Sequence, residues 1–426
     1  MRTHIAVLVA ALLCCVALPS AHGQKFQPKT IQFNGAPEYS TEELLAAAEL
    51  KKGAVLNYAE MNEHSKKLMD TGMFATLAFK FDGVDLIFSI TQADGLLKAR
   101  YDNIPLGSDE EITAALHKQF PLFHGLVPTE NGYAEAVRAA LEQMLAERKL
   151  PAAVLATPAA PTRSRATATL MSYTISAPRV FAGPVTVRGA SLEWTPKAND
   201  IAAADDTASY DAANSSSNIE RSFTDFYLDH GYAAAHATAR QAGDATIDDN
   251  GIHVPFAVTI SEGKHYQIGA IQLPAGTPIT QPEVDKILAE RPGAPEPGVR
   301  LRSLWLAVAQ RFKAKGYLDV KLTPQPVFDD AAGKVNYAIT IETGPVYHLA
   351  FVKFEGASDE LRAMLIKNWQ MMPGDPFNES YVASFITNVQ VHDPVLQRTL
   401  VGVHITNSYI ADPQSHDVNV VIRLSK

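Results

Sequence analysis

The chain has almost no cysteine. Cys14 and Cys15 are its only two in 426 residues, and both fall within residues 1–23. Arg2 and His4 open that segment, Ile5 to Leu18 form a short apolar core, and Ala21-His22-Gly23 give a small-x-small cleavage site before Gln24. This pattern predicts a secretory signal peptide, too short and wrongly flanked for a membrane span. Leu12 and Leu13 precede the cysteines, where a lipid-attachment site needs small residues. The mature chain is then cysteine-free, which excludes disulfides and thiolate metal sites. An exported chain without cysteine points to a bacterial envelope. Positive charge is also short. The net charge of -9 gives no basic footprint for nucleic acid. No later apolar run is long enough to span a bilayer. A Gly-x-Ser-x-Gly elbow and a phosphate loop are both missing. Asn214-Ser215-Ser216 and Asn378-Glu379-Ser380 read as chance matches to the glycosylation pattern.

What the chain does have is a repeated phrase. "FKAKGYLDVKL" from Phe312, "FYLDHGYAAAHA" from Phe226 and "LMDTGMFATLAFK" from Leu68 each end an amphipathic run. Each continues with Gly, a large apolar residue and alternation. The larger pattern is clearest near the fourth occurrence. "HYQIGAIQL" from His265 alternates as a strand. Thr280 to Glu283 forms a capping box, and Arg291-Pro292-Gly293 ends the short helix it opens. Leu301, Leu304, Trp305, Val308 and Phe312 then share one helical face. Gly316 is placed to stop that helix. Tyr317 to Leu322 and Val335 to Glu342 read as two further strands. The first unit follows the same order. Its strand starts at Thr30, its caps are Ser40–Glu43 and Asn57–Glu60, and Gly72 ends its second helix. Its hairpin turns at Asp82-Gly83. The large residue after each Gly is expected to pack on the sheet as the next strand begins.

Phe181, Tyr266 and Tyr347 precede corresponding first strands at near-equal spacing, and "SEGKHYQI" matches "ETGPVYHL" at two junctions. The order strand-helix-helix-strand-strand, the E-G-x-x-Y-type junction and the helix-Gly-Tyr phrase resemble POTRA domains. These are the polypeptide-transport-associated repeats of outer-membrane barrel assembly and two-partner secretion proteins. The expected fold is α+β, an elongated tandem array of five β-α-α-β-β units at residues 24–95, 96–177, 178–263, 264–344 and 345–426. Units two and five depart from the pattern. "ERKLPAAVL" and "VHDPVLQ" stand where the Gly-aromatic phrase is due. In unit three, Pro196 to Asn218 is rich in Ala, Asp and Ser, which predicts a mobile, protease-sensitive loop in place of the first helix. After the fifth unit the sequence stops at Lys426 without the alternating segments of a transmembrane barrel.

Chemistry is scarce. His117 and His124 flank Pro121 and Gly125, which argues against one rigid helix face, and His230 and His236 straddle a helix end. Asp205-Asp206 and Asp248-Asp249 read as solvated turns. Trp305 is expected in the core and Trp369 partly exposed, while Trp194 has no assigned place. No catalytic residue, metal ligand or cofactor is assigned. The available function is strand addition. If the first strand pairs beside the third, the second is an edge with unpaired backbone groups. The resemblance implies the same mode. The candidate edges are Ala75–Phe81, Tyr232–Arg240, Tyr317–Leu322 and Leu400–Thr406. Thr76, Ala78, Lys80, Tyr317, Asp319 and Lys321 are the partner-binding candidates. The expected role is a non-enzymatic periplasmic scaffold, peripheral to the outer membrane. It would bind a barrel protein or unfolded barrel precursors and touch the membrane only through that partner. A structural spacer docking one fixed folded partner is the alternative. A weaker third reading is an enzyme with its site between repeats.

Overall fold

The computed structural model describes residues 25–129, 132–160, 169–289 and 296–425. The segment expected to be a signal peptide and the expected Arg291-Pro292-Gly293 break lie outside them. In the first repeat, strand Thr30–Asn34 leads to helices Thr41–Ala47 and Tyr58–Asp70, then to strands Phe74–Phe81 and Asp85–Gln92. Both helices start where the sequence places caps. Ser40 with Glu43, and Asn57 with Glu60, form reciprocal capping boxes. The third strand lies in the middle, parallel to the first and antiparallel to the second. A parallel pair needs a crossover, and the two helices supply it. Because side chains alternate along a strand, Leu86, Phe88 and Ile90 point together into the core, with Leu44, Met61 and Leu68 from the helices.

The same sheet recurs. Gln267–Gln272, Lys334–Glu342 and Lys321–Asp329 lie side by side in that order. So do His348–Glu355, Asp417–Ser425 and His404–Ala411. In both, the third strand is again central and parallel to the first. The second repeat has a four-stranded sheet, with Leu126–Val127 added beside Leu97–Tyr101, then Leu170–Ala177 and the edge Ala153–Ala159. In the third, Val185–Arg188, Phe256–Ser261 and His236–Gln241 form one sheet and three two-residue strands another. The chain divides into two compact bodies. One holds the described part of Met1–Thr186 with Asp200–Asn218 and Ala239–Ala257, and the other holds the rest.

The expected loop at 196–218 is instead largely helical, in helices Thr195–Asp205 and Ser215–Asp229. Ala198 and Ala202, four residues apart on one face, are buried. Methyl groups make a weak apolar stripe, yet they let a helix approach closely. Asp206 does lie in a turn, but its carboxylate is not left to solvent, since it accepts the Val185 amide at 2.5 Å. Trp305 is half-buried against the fourth core, as expected. Trp369 is buried, contrary to expectation, and donates its indole N–H to the Met371 carbonyl at 2.6 Å. Trp194 donates to the Tyr232 hydroxyl at 2.9 Å and packs edge-on against Phe226 and His230.

The Gly-aromatic phrase does stop the helices. The Tyr232 amide reaches back to the Tyr227 carbonyl at 3.0 Å, and the Tyr317 amide to Phe312 at 3.2 Å. Gly231 and Gly316 between them have φ of 89° and 92°. In the divergent second repeat the same closure runs from Leu150 to Leu145 at 2.9 Å, with Lys149 in the left-handed position at φ 61°. The phrase opens a strand directly only in the first repeat, where strand Phe74–Phe81 follows Gly72. In the third and fourth repeats a turn intervenes, and the strands begin at His236 and Lys321.

Candidate strand-addition edges

In these sheets the second strand is terminal, so among the described residues one side of its backbone has no strand beside it. Residues of an antiparallel edge strand alternate. One points its N–H and C=O at its neighbour, and the next points them outward. The Asp82 amide donates to the Asp85 carbonyl at 3.2 Å, which fixes this alternation for the first repeat. Counting back along the unshifted register, Lys80, Ala78 and Thr76 turn their backbone groups toward the central strand. Leu77, Phe79 and Phe81 turn theirs outward. Their side chains are half-buried toward the helices, whereas those of Thr76, Ala78 and Lys80 are exposed. The residues singled out by exposure are thus not those with outward amides. Among the described residues, no acceptor is found for the amides of Leu77, Phe79 and Phe81.

The fifth repeat obeys the same rule. The Asp412 amide donates to the Asp417 carbonyl at 2.8 Å. Ile405, Asn407, Tyr409 and Ala411 therefore face outward, on a strand that runs well past the expected Leu400–Thr406. No proline interrupts either edge.

The second and fourth edges differ. Strand Lys321–Asp329 carries Pro324 and Pro326, opposite Ile339 and Tyr337 in a ladder without a register shift. A proline ring fits an unbroken ladder only with its nitrogen turned away from the partner strand. The outward positions are then Leu322, Pro324, Pro326 and Phe328. Half of them lack a donor. Leu322 packs on the helix-side core, the same relation of outward amide to inward side chain seen in the first repeat. In the second repeat the edge Ala153–Ala159 carries Pro158, and the Val154 amide donates to a Glu142 carboxylate oxygen at 2.8 Å. Burial pushes Glu142 up, but that amide and Arg138, 2.5 Å away, outweigh it and hold the carboxyl below its usual range. On the third edge the Ala237 amide is taken by the Thr224 hydroxyl at 3.1 Å.

Two of the sequence-derived residues lie off the fourth edge. Tyr317 and Asp319 precede strand Lys321–Asp329 and sit in the turn after the helix. Tyr317 packs edge-on against Phe312, and Asp319 accepts the Tyr347 hydroxyl at 2.7 Å. Lys321 is in the strand, paired with Glu342, and by the same alternation its amide points inward. Outward direction depends on register and on proline placement. Pro324 and Pro326 were the signal in the sequence that could have revealed the blocked edge.

The structure also joins two histidines that the sequence reading kept apart. His117, in the last turn of helix Asp109–Gln119, and His124, in the following loop, have ring centroids 5.0 Å apart. Both Nε2 atoms face one oxygen of Glu43, at 3.3 and 2.9 Å.

No family model matches the chain. Among solved structures it is similar to POTRA3-5 of BamA from Haemophilus influenzae, at 16% identity and a TM-score of 0.36, over 58% of this chain and 96% of that one. It is also similar to the N-terminal domain of Omp85 from the cyanobacterium Thermosynechococcus elongatus, at 15% identity and a TM-score of 0.20, over 58% and 97%. A third is POTRA1-3 of the periplasmic domain of Omp85 from Anabaena, at 15% identity and a TM-score of 0.22, over 58% and 95%. The POTRA-like, mixed α+β character of the fold rests on the recurrent strand order itself. No described helix is long and apolar enough to cross a membrane.

Proposed function

We propose that this protein is a non-catalytic periplasmic scaffold of five repeats that captures outer-membrane barrel precursors, or a barrel subunit, by strand addition at the first and fifth repeats. The single observation behind this reading is the unequal treatment of equivalent edges. Among the described residues, the outward amides have no acceptor on strands Phe74–Phe81 and His404–Ala411. Proline removes two of the four on Lys321–Asp329, and those on Ala153–Ala159 are partly removed or occupied. Each main-chain bond to an added strand contributes about 0.5–1.5 kcal/mol net, so an edge with three or four free donors binds and one with isolated donors does not. Main-chain bonding asks little of client sequence, which suits varied barrel strands. The second and fourth repeats, whose edges carry these prolines, act as spacers, and for those two the spacer reading is favoured.

The test is a matched pair at an outward position. Leu77→Pro and Leu77→Ala both lose the Leu side chain, but only the first removes the outward donor. Capture of a ten-residue peptide copying a barrel strand should fall for Leu77→Pro and persist for Leu77→Ala, with folding checked by circular dichroism. Equal binding by both would contradict the proposal.

A further inference from the structure

We infer that Glu43, His117 and His124 form a binding site for a borderline divalent metal of the zinc class. The three side chains converge from separate segments. Their ligand atoms all lie within 4.8 Å of one another. Glu43 Oε1 is 2.9 Å from His124 Nε2 and 3.3 Å from His117 Nε2. Neighbouring ligands of a tetrahedral zinc, at about 2.0–2.2 Å from the metal, are separated by roughly 3.3–3.5 Å, so small shifts would admit the ion.

The surroundings hold each ligand in the orientation such a site needs. The other Glu43 oxygen is occupied by the capping box, accepting from the Ser40 amide at 2.6 Å and the Ser40 hydroxyl at 2.9 Å. This leaves Oε1 for the histidines. His117 Nδ1 lies 3.2 Å from the Phe123 carbonyl. Donating there puts its proton on Nδ1 and leaves the Nε2 lone pair facing Glu43. A ring nitrogen tied to a carbonyl is the usual support of a metal-ligating histidine. The His124 ring is packed between His117 and Tyr39, whose centroids are 5.0 and 5.2 Å away.

The donor set selects the ion. Two imidazoles and one carboxylate suit zinc and its neighbours, whereas calcium and magnesium prefer oxygen throughout. The three residues also line an open cleft of about 1010 Å³, so a fourth position is open to water or an exogenous ligand. Glu43 belongs to the first repeat and both histidines to the second, within one compact body. A bound ion would therefore tie these two repeats together. The relevant ligand spacing exists only in three dimensions, because Glu43 is far in sequence from the histidines.

The experiment uses the full mature chain, stripped with chelator and titrated with zinc chloride by calorimetry, with cobalt absorption as a report on ligand geometry. The expected result is one zinc per chain, a raised melting temperature and a tetrahedral cobalt spectrum. His117→Ala and His124→Ala should each weaken zinc binding about tenfold or more. Glu43→Gln, which keeps an acceptor for the cap, should also weaken it. His64→Ala, outside the cluster, should not. Melting of each variant without metal separates loss of ligand from loss of fold. No zinc binding by the wild-type chain, or unchanged affinity when both histidines are replaced, would overturn the assignment.

Discussion

The main-chain amide of Tyr347 donates to the carbonyl of Gly316 at 2.8 Å, a bond that fastens the start of the fifth repeat to the end of the fourth repeat's second helix. The third and fourth repeats are joined the same way, Tyr266 to Gly231, also at 2.8 Å. A second contact recurs beside it. A Cβ on Gly344 would lie 3.1 Å from Asp319 Cβ, and one on Gly263 would lie 3.3 Å from Ala234 Cβ. Asp319 and Ala234 each stand three residues after the helix-stopping glycine. The Gly-Tyr phrase and the E-G-x-x-Y junction are therefore two halves of one joint, which is why the sequence repeats both.

The joint predicts a graded response to alanine. Gly316 and Gly333 are both left-handed, at φ 92° and 61°, and an added Cβ costs each about 1 kcal/mol. At Gly333 that Cβ meets nothing within 4 Å, whereas at Gly316 it would lie 2.8 Å from the Tyr347 carbonyl oxygen. Gly316→Ala should cost roughly 2–4 kcal/mol and Gly333→Ala about 1. Urea denaturation measures both, and equal losses would show that the joint yields freely.

The first hairpin predicts a pH dependence. Asp82 accepts the Val84 and Asp85 amides at 2.9 and 2.8 Å, and with the Asp85 amide as the largest influence its carboxyl is held below the ordinary value of 3.8. A depressed folded pKa stabilises the fold above the unfolded value, and that contribution is lost as pH falls through the folded one. Asp82→Ala should therefore be less stable than wild type at pH 7, with the gap closing below 3.8. Asp82→Asn keeps an acceptor and should fall between them. A gap independent of pH would assign the effect to turn propensity alone.

The alanine-packed helix of the third repeat predicts intolerance to size. Ala198 is 1% exposed, so Ala198→Leu should cost about 1–3 kcal/mol by overpacking. Limited proteolysis should leave 196–205 intact in the wild type and cut there in the variant. Early cutting of the wild type would return this segment to a loop.

These cases show what a single sequence makes legible. Caps, hairpin turns and helix-stopping glycines depend on residues a few positions apart, and Ser40–Glu43, Asp82-Gly83 and Gly316 were all readable. The helix containing Ala198 was not, because its stripe is made of methyl groups whose value depends on how closely another element approaches. The edge residues were half legible. Alternation separated Thr76, Ala78 and Lys80 from Leu77, Phe79 and Phe81, but which set turns its amides outward follows from the Asp82–Asp85 bond. Glu43 with His117 and His124 depends on contact between repeats, which no local pattern encodes.

The blocked edge can be opened. Pro324→Ala with Pro326→Ala restores two outward donors without touching the ladder to the central strand. The double variant should gain binding to the barrel-strand peptide, or self-associate, as an unprotected edge does. Unchanged behaviour in both assays would mean that something other than the prolines closes this edge.

Residue-resolved amide exchange with and without the barrel-strand peptide distinguishes open edges from closed ones. Added protection is expected at Leu77, Phe79 and Phe81, or at Ile405, Asn407, Tyr409 and Ala411, and none at Leu322 or Phe328. Peptide binding that leaves both open edges exchanging at their free rates, or that protects the proline-bearing strand instead, would contradict capture by strand addition at the open edges.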